Sequence, residues 1–186
     1  MSDELRNVAL AMAIDDVSLA PFDPEDVSLA YMRWINDPEV MRHTEARWVL
    51  HTRESAVAYV KDSNDATGSK LFKILLAGQH VGNLRLSAIN YQHGRAEVAL
   101  IIGEASARGR GVGRRAIAIA CAHAFVTLCL YKLSAGFYAS NAASIRAFEA
   151  AGFARVAEFK RHYRYEGGWD DGVVMERQSP CNSGAR

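Results

Sequence analysis

The segment that decides the fold is Arg108-Gly-Arg-Gly-Val-Gly113, which follows a strand-like run, Glu97-Val-Ala-Leu-Ile-Ile102. Glycines at alternate positions let the backbone turn tightly and approach a ligand closely. An amphipathic helical pattern begins near Val112, and the free N–H groups at a helix start, with the helix dipole, favour an anion. Arginines crowd the same turn, at positions 108, 110, 114 and 115. The segment therefore predicts a strand, a pyrophosphate-binding turn and a helix.

Elements on both sides of this turn follow from hydrophobic periodicity and from cap and turn residues. Strands are predicted over 7–14, 70–77, 80–90, 95–103, 132–139, 154–165 and 169–177. Helices are predicted from Asp23-Pro24 to about Asn36, from Thr52 to about Ser63, over 112–129 and over 141–151, whereas 40–51 reads as irregular. Hairpin turns indicate antiparallel pairing, and the β-α-β stretch from 95 to 139 indicates one parallel pair. We expect an α+β fold with a mixed, mostly antiparallel twisted sheet of about seven strands and about four helices, as one domain over 1–178 with a tail at 179–186.

Composition excludes several classes of protein. The 186-residue chain has a net charge of +1, yet its first 60 residues hold 11 acidic and 5 basic side chains, so the remainder is basic. The basic residues cluster at one turn, which argues against a nucleic-acid partner. The sequence contains no run of about 18 apolar residues, so no membrane span is expected. It also contains no Cys or His spacing typical of a metal site. The acidic start without a signal-peptide pattern and the scattered cysteines indicate a cytoplasmic protein.

Two other nucleotide motifs compete for the glycine turn. Gly111-Val-Gly113-Arg-Arg-Ala116 fits the dinucleotide pattern, but that pattern also needs an acidic residue at the end of the next strand. The corresponding stretch, Gly136-Phe-Tyr-Ala-Ser140, contains none, and three antiparallel strands before the turn do not suit a doubly wound fold. The chain also lacks the glycine-lysine signature of a P-loop. Coenzyme A is a third option, and a resemblance to a known family bears on it.

Three motifs resemble those of the GNAT acetyltransferase superfamily. Arg108-x-x-Gly111-x-Gly113 resembles its R/Q-x-x-G-x-G/A signature, and Asn141 to Phe153 is similar to its N-x-x-S-x-x-x-x-E-x-x-G-F block. Trp34 to Val40 is typical of the branch with ribosomal-protein N-terminal and small-amine acetyltransferases. The resemblance covers about residues 7–177, and it implies a GNAT-type sheet and an acetyl-CoA-dependent N-acetyltransferase.

The resemblance also implies a set of cofactor contacts. Backbone groups at the end of the strand would pair with pantetheine, the N–H groups of 109–114 would hold the pyrophosphate, and the helix after 140 would contact the pantetheine arm and the adenosine end. The cofactor-binding residues expected in this way are Ile101, Ile102, Arg108, Gly109, Arg110, Gly111, Val112, Gly113, Arg114, Asn141, Ser144 and Arg146. Helix capping by Asn141 and Ser144, and a solvated role for Arg146, are the competing interpretations.

The catalytic acid departs from the family pattern. Many relatives carry a tyrosine that protonates the thiolate at the position of Phe148, which cannot donate a proton. Candidate substitutes are Ser144, Tyr138 and Ser140. The resemblance further implies that a backbone N–H near the end of the strand stabilises the developing oxyanion.

The sequence offers several candidates for the general base and does not identify the acceptor amine. Glu97 alternates along its strand with residues that approach the cofactor, so it is one candidate; His162, Tyr163 and Tyr165 are others. A site without an obvious strong base favours a weakly basic amine over lysine or a polyamine, because a lysine-type amine is almost fully protonated at neutral pH. The substrate-binding residues expected are Trp34, Arg42, Arg47, Trp48 and Tyr163, where arginines and an indole would clamp an anionic, partly planar group.

The leading hypothesis is therefore acetyl transfer to a small-molecule primary amine, including an amino sugar on a nucleotide carrier. A protein N-terminal acetyltransferase and a non-catalytic acyl-CoA-binding module are the alternatives. Relatives often form homodimers, so the resemblance includes a homodimer among the expected states.

Overall fold

The structure is a computed structural model that describes residues 11–180, and eight strands of this range form one sheet. The strands are β1 (Ala13–Ile14), β2 (Val17–Pro21), β3 (Lys70–Leu76), β4 (Gln79–Asn90), β5 (Arg95–Ile102), β6 (Lys132–Tyr138), β7 (Ala154–Tyr165) and β8 (Gly168–Gln178). The α-helices are α1 (Leu29–Ile35), α2 (Pro38–Met41), α3 (Arg53–Asp65), α4 (Val112–Ala122) and α5 (Ala142–Ala150). The expected α+β class is confirmed, with one strand more than the seven expected.

The strand order is β1-β2-β3-β4-β5-β6-β8-β7. Neighbouring strands pair antiparallel except β5 and β6, which are parallel. A parallel pair needs a crossover connection, and here α4 provides it. Because β4 and β5 are antiparallel, the sheet is not the doubly wound type that binds dinucleotides.

The first strand of the sheet differs from the sequence prediction. Of the strand expected over 7–14, residues 7–10 lie outside the described residues, and the longer strand is β2. Val17 and Leu19 of β2 are buried, and Val17 pairs with Leu76 of β3. The prediction missed β2 because its apolar alternation is only two residues long and its pairing partner is distant in sequence.

The first helix starts later than predicted. Pro24–Asp26 forms a single 3-10 turn, in which the Asp23 N–H donates to the Asp26 carboxylate. The α-helix begins at Leu29, because the Ser28 hydroxyl caps it by accepting the N–H of Tyr31 at 3.2 Å. Asp23 and Ser28 are therefore two successive cap residues, and the predicted start at Asp23 was wrong because the α-helix begins after Ser28.

Two further boundaries were wrong. The segment 40–51 is partly regular, since α2 ends at Met41 and Glu45–Trp48 forms a 3-10 turn. The helix predicted over 112–129 is α-helical only to Ala122 and ends in a π-helical turn, His123–Thr127. Within residues 11–180, none of the helices is long and apolar enough to cross a membrane.

Core packing covers both faces of the sheet. One face packs against α4 and α5, and the end of the other face is covered by α1 and α3. Phe148 lies in the core on the face covered by α4 and α5 and has no exposed surface. Its ring is edge-on to Phe137 and Phe153 at ring-centroid distances of 4.8 and 4.9 Å. Burying such a ring stabilises the fold by about 1.5–3 kcal/mol. The residue at the usual acid position is thus a core residue here.

Candidate active site

A slot opens between β5 and β6. Their pairing covers three positions and ends at Glu97 and Ser134, whereas β5 stays paired with β4 as far as Ile102. Residues 98–102 of β5 and 135–138 of β6 therefore diverge. Backbone N–H and C=O groups seek hydrogen-bond partners, so an extended ligand can pair with the open edge of β5. Ile101 and Ile102, which are expected to contact pantetheine, lie at the end of that edge.

The turn between β5 and α4 keeps its backbone donors free. Gly109 and Gly111 have φ angles of 71° and 70°, in the left-handed region where residues with a Cβ are strained. Among residues 11–180, the N–H groups of 109–114 have no hydrogen-bond acceptor. They include the first N–H groups of α4, where the helix dipole favours an anion. The turn therefore fits a pyrophosphate.

Arg108 and Trp34 fix the start of this turn. The Arg108 guanidinium donates to the carbonyl oxygens of Ile102 at 3.1 Å and Gly103 at 3.0 Å, so it ties the turn to β5 rather than extending away from it. Trp34, which was expected to bind substrate, is 6% exposed and packs against Gly103. Its ring also meets His80 edge-on at 5.1 Å. The indole thus packs behind the turn, away from solvent.

The other arginines of the turn have different surroundings. Arg115 forms an ion pair with Asp16 at 2.6 Å, which joins α4 to the segment between β1 and β2. Arg110 and Arg114 are exposed and form no ion pair with any residue in 11–180. These two guanidinium groups are the ones able to add positive charge beside a bound anion.

Asn141 caps α5. Its side-chain oxygen accepts the N–H of Ser144 at 3.3 Å, the geometry of a helix N-cap. Ser144 is half-buried, and its hydroxyl has no hydrogen-bond partner among residues 11–180. Arg146 is exposed. The capping role of Asn141 is therefore present, while the Ser144 hydroxyl is available for another contact.

Tyr138 and Glu45 meet at the end of β6. The buried Tyr138 donates its hydroxyl hydrogen to Glu45 Oε1 at 2.5 Å, and its ring stacks on Tyr163 at 4.0 Å. Burial raises the pKa of the Tyr138 phenol, and the hydrogen bond to Glu45 raises it further. Tyr138 consequently stays protonated at neutral pH, beside a carboxylate that sequence reasoning did not identify.

A second series of hydrogen bonds connects His43, in the loop after α2, to Ser140 and to Asp170 of β8. The Ser140 hydroxyl donates to Asp170 Oδ2 at 2.6 Å, and His43 Nε2 lies 3.0 Å from the same hydroxyl oxygen. Because the only hydrogen of that hydroxyl goes to Asp170, His43 must donate through Nε2, which leaves its Nδ1 as an acceptor. Burial lowers the pKa of His43, and the charge of Arg42 lowers it further. The imidazole is therefore neutral at pH 7.

Glu97 lies apart from this cluster. It is exposed and pairs across the sheet with Ser87 and Ser134, at the point where the slot begins. Tyr138 lies on the same face of β6 as Ser134 but four residues further on. At a rise of roughly 3.3 Å per residue, this separation is about 13 Å. The two candidate catalytic residues Glu97 and Tyr138 are thus not brought together.

An open cavity of about 460 Å³ is lined in part by Arg47 and Tyr165, whose side chains contact the ring of Tyr138. Its lining includes Arg42, Arg47 and Trp48, three of the residues expected to contact substrate, together with Tyr165. Trp48 is 65% exposed. The remaining lining residues are Ile35, Asn36, Asp37, Pro38, Met41, Val49, Leu50 and Glu166. Tyr163 is not among them, since it stacks on Tyr138 instead.

The slot, the glycine turn and the cavity are the features expected of a coenzyme A-dependent acyltransferase. Residues 16–154 match the family model described as the acetyltransferase (GNAT) domain. The chain therefore belongs to the GNAT acetyltransferase family, and it is an acetyltransferase rather than a member of an unrelated nucleotide-binding class.

Individual relatives agree with this assignment. Spermidine N(1)-acetyltransferase of Escherichia coli (strain K12) is 29% identical over 164 residues, which cover 86% of this chain and 84% of the relative. A spermidine N-acetyltransferase from Vibrio cholerae, solved in complex with CoA and spermine, has a TM-score of 0.78 at 19% identity, covering 88% of this chain and 95% of that one. A ribosomal L7/L12 α-N-protein acetyltransferase in complex with coenzyme A has a TM-score of 0.80 at 15% identity, covering 90% and 97%. Both structures share the fold.

Proposed function

We propose that this acetyltransferase moves the acetyl group of acetyl-CoA to a primary amine of a small molecule. The observation that carries the proposal is the slot between β5 and β6, which leads to the Tyr138–Glu45 pair. Acetyl-CoA supplies the thioester. On the protein side, the edge of β5 at Ile101 and Ile102 would hold pantetheine, and the free N–H groups of 109–114 would hold the pyrophosphate.

Proton handling rests on the residues around the end of β6. The acceptor amine must lose a proton before it attacks a thioester, and a carboxylate within reach assists this step. Glu45 is the carboxylate beside Tyr138, and its second oxygen, which has no hydrogen-bond partner among residues 11–180, would accept the proton of the amine. The Ser144 hydroxyl, which has no partner among residues 11–180, is the proposed donor to the leaving thiolate. Tyr138 is the second candidate for that role, although its hydrogen is engaged by Glu45.

The acceptor that we favour is a weakly basic amine, such as an amino sugar on a nucleotide carrier. Trp48 presents an exposed indole on which a planar group can stack. Arg42 on the same cavity is half-exposed, and its ion pair with Glu39 at 3.6 Å is exposed to solvent, so the guanidinium can turn to a phosphate. An amine with a pKa near 8 costs roughly 1.4 kcal/mol to deprotonate at pH 7. A lysine-type amine costs several times as much.

Polyamine acetylation is the second candidate. The Escherichia coli relative is named for spermidine, and two carboxylates, Asp37 and Glu166, line the same cavity. Because Arg42 and Arg47 balance these carboxylates, the cavity has no net charge that would favour a polycation by itself.

A thiol-release assay with acetyl-CoA and a panel of amines tests the proposal. The panel comprises a nucleotide-linked amino sugar, a free amino sugar, spermidine and a ribosomal-protein N-terminal peptide. We expect the largest kcat/KM for the amino sugars. Turnover of spermidine alone, or of the peptide alone, would overturn the choice of acceptor.

Two carboxylate variants test the base. Glu45→Gln keeps the size and the acceptor oxygen but cannot take a proton, so kcat should fall by about 100-fold or more while CoA affinity is unchanged. Glu97→Gln makes the same chemical change on β5, about 13 Å from Tyr138 along the sheet. A loss of kcat in Glu97→Gln but not in Glu45→Gln would reverse the assignment.

A further inference from the structure

Three aromatic rings surround the guanidinium of Arg47. Its central carbon lies 4.4 Å from the ring centroid of Trp48, 5.0 Å from that of Tyr138 and 5.4 Å from that of Tyr165. A cation within about 6 Å of an aromatic centroid is attracted by the ring quadrupole. The three rings, which we call the aromatic cage, therefore all contact one organic cation, the guanidinium of Arg47.

The polar contacts of Arg47 are few for a partly buried charge. It donates to the carbonyl oxygens of Arg42 and Arg164, and no ion pair among residues 11–180 includes it. Its Nε is buried without a hydrogen-bond partner in the same range. An unpaired buried donor destabilises the folded protein. A residue selected only to brace the loop would be expected to satisfy its donors, so the position of this cation calls for another reason.

Two walls of the cage are held without Arg47. Tyr138 is fixed by its hydrogen bond to Glu45 and by stacking on Tyr163. Tyr165 stacks on His43 at a centroid distance of 5.2 Å. The cage would consequently keep these two walls if the guanidinium were removed, and the exposed Trp48 would remain free to close over a new occupant.

We propose that the aromatic cage is a subsite for an organic ammonium or guanidinium ion, and that Arg47 occupies it so that acceptors with a second cationic arm are excluded. Arg47 is then a specificity-determining residue of the acceptor site. This role rests on the proposed small-molecule amine function. A resident positive charge discriminates by placing a repulsive element where the wrong substrate would bind.

The arrangement explains how a chain related to spermidine acetyltransferases would prefer a monoamine. The second ammonium of a polyamine that reached Tyr138 and Tyr165 would meet the Arg47 guanidinium, because the same rings line both positions. An acceptor with one amine and a neutral or anionic remainder meets no such conflict. Like charges in close contact disfavour binding, and the effect is stronger where solvent is partly excluded.

Calorimetric titration of tetramethylammonium and of spermidine into the CoA-bound protein tests the proposal without turnover. Arg47→Gln keeps hydrogen-bonding capacity but removes the charge, and Arg47→Ala empties the cage. We expect both variants to bind the two cations at least tenfold more tightly than the unmodified protein, about the effect of one or two cation–π contacts. Arg47→Lys retains a cation and should bind them no better than the unmodified protein.

Arg42→Gln is the matched control, since it makes the same charge change on the same cavity without a ring contact. It should produce only a small gain, because an exposed charge is screened by solvent. An equal gain in Arg42→Gln and Arg47→Gln would overturn the proposal, as would no gain in either Arg47 variant. Adding Tyr165→Ala to Arg47→Ala should abolish the gained affinity. Because binding is measured directly, this outcome is independent of whether the amine panel identifies the acceptor.

Discussion

Gly103→Ala is expected to lower the stability of the fold and to weaken the binding of coenzyme A. Gly103 follows β5 directly, and a Cβ built on it would lie 2.1 Å from Trp34 Cδ2 and 2.3 Å from Cγ. Such distances are far below van der Waals contact, so the buried indole must move. The backbone itself is not the obstacle, because Gly103 is not one of the glycines with a positive φ. Overpacking of this kind costs typically about 1–3 kcal/mol.

The size of the effect can be measured by a double-mutant cycle. Trp34→Leu alone leaves a cavity and should cost roughly 2–4 kcal/mol. In the double variant, the leucine can turn away from the new methyl group, so the combined loss should be smaller than the sum by at least about 1 kcal/mol. Urea denaturation gives the free energies of unfolding. Additive losses would refute the close approach of Gly103 to Trp34.

The same substitution should weaken coenzyme A binding. The carbonyl of Gly103 accepts a hydrogen bond from Arg108, which ties the glycine turn to β5. A shift of the chain at Gly103 therefore displaces the turn, and we expect the dissociation constant for CoA to rise severalfold by calorimetry. Unchanged affinity in Gly103→Ala would show that the turn is positioned independently of Trp34.

Three further outcomes follow from the site and the core. Gly111→Val forces a β-branched residue to a φ of 70° and should reduce CoA affinity at least tenfold, whereas Gly113→Ala meets only Leu100 at an ordinary 3.5 Å and should change it little. Equal losses would contradict the cradle. Ser144→Ala should lower kcat at least about tenfold with little change in KM if the hydroxyl is the acid, and an unchanged kcat removes it from the mechanism. Burial lowers the pKa of His80, so its neutral form stabilises the fold above pH 6.5 and that contribution is lost as the pH falls below 6.5. The melting temperature should therefore drop between pH 7.5 and 5.5, less steeply in His80→Asn; parallel profiles would exclude His80 as the cause.

Local patterns predicted the middle of the chain well. β3, β4 and β5 begin and end within one residue of their predicted bounds, because alternation and tight hairpin turns are properties of neighbouring residues. The first third was predicted less well. β2 is defined by its pairing with β3, for example between Val17 and Leu76. The start of α1 is defined by which of two residues, Asp23 or Ser28, caps the helix. Both features depend on how these segments pack against the rest of the protein, and the sequence of one segment does not contain that information.

The sequence by itself determined the glycine turn between β5 and α4. Glycines at 109 and 111 permit the left-handed turn, and the helix that follows leaves its first N–H groups without acceptors among residues 11–180, so the proposed anion site depends on a few consecutive residues. Tertiary structure alone decided which residues meet at the end of β6. Glu45 meets Tyr138 across 93 residues, His43 meets Ser140 across 97, and Arg47 reaches the carbonyl of Arg164 across 117. No spacing rule links such positions, because they come together only when the loop after α2 packs against the end of β6 and the β7–β8 hairpin.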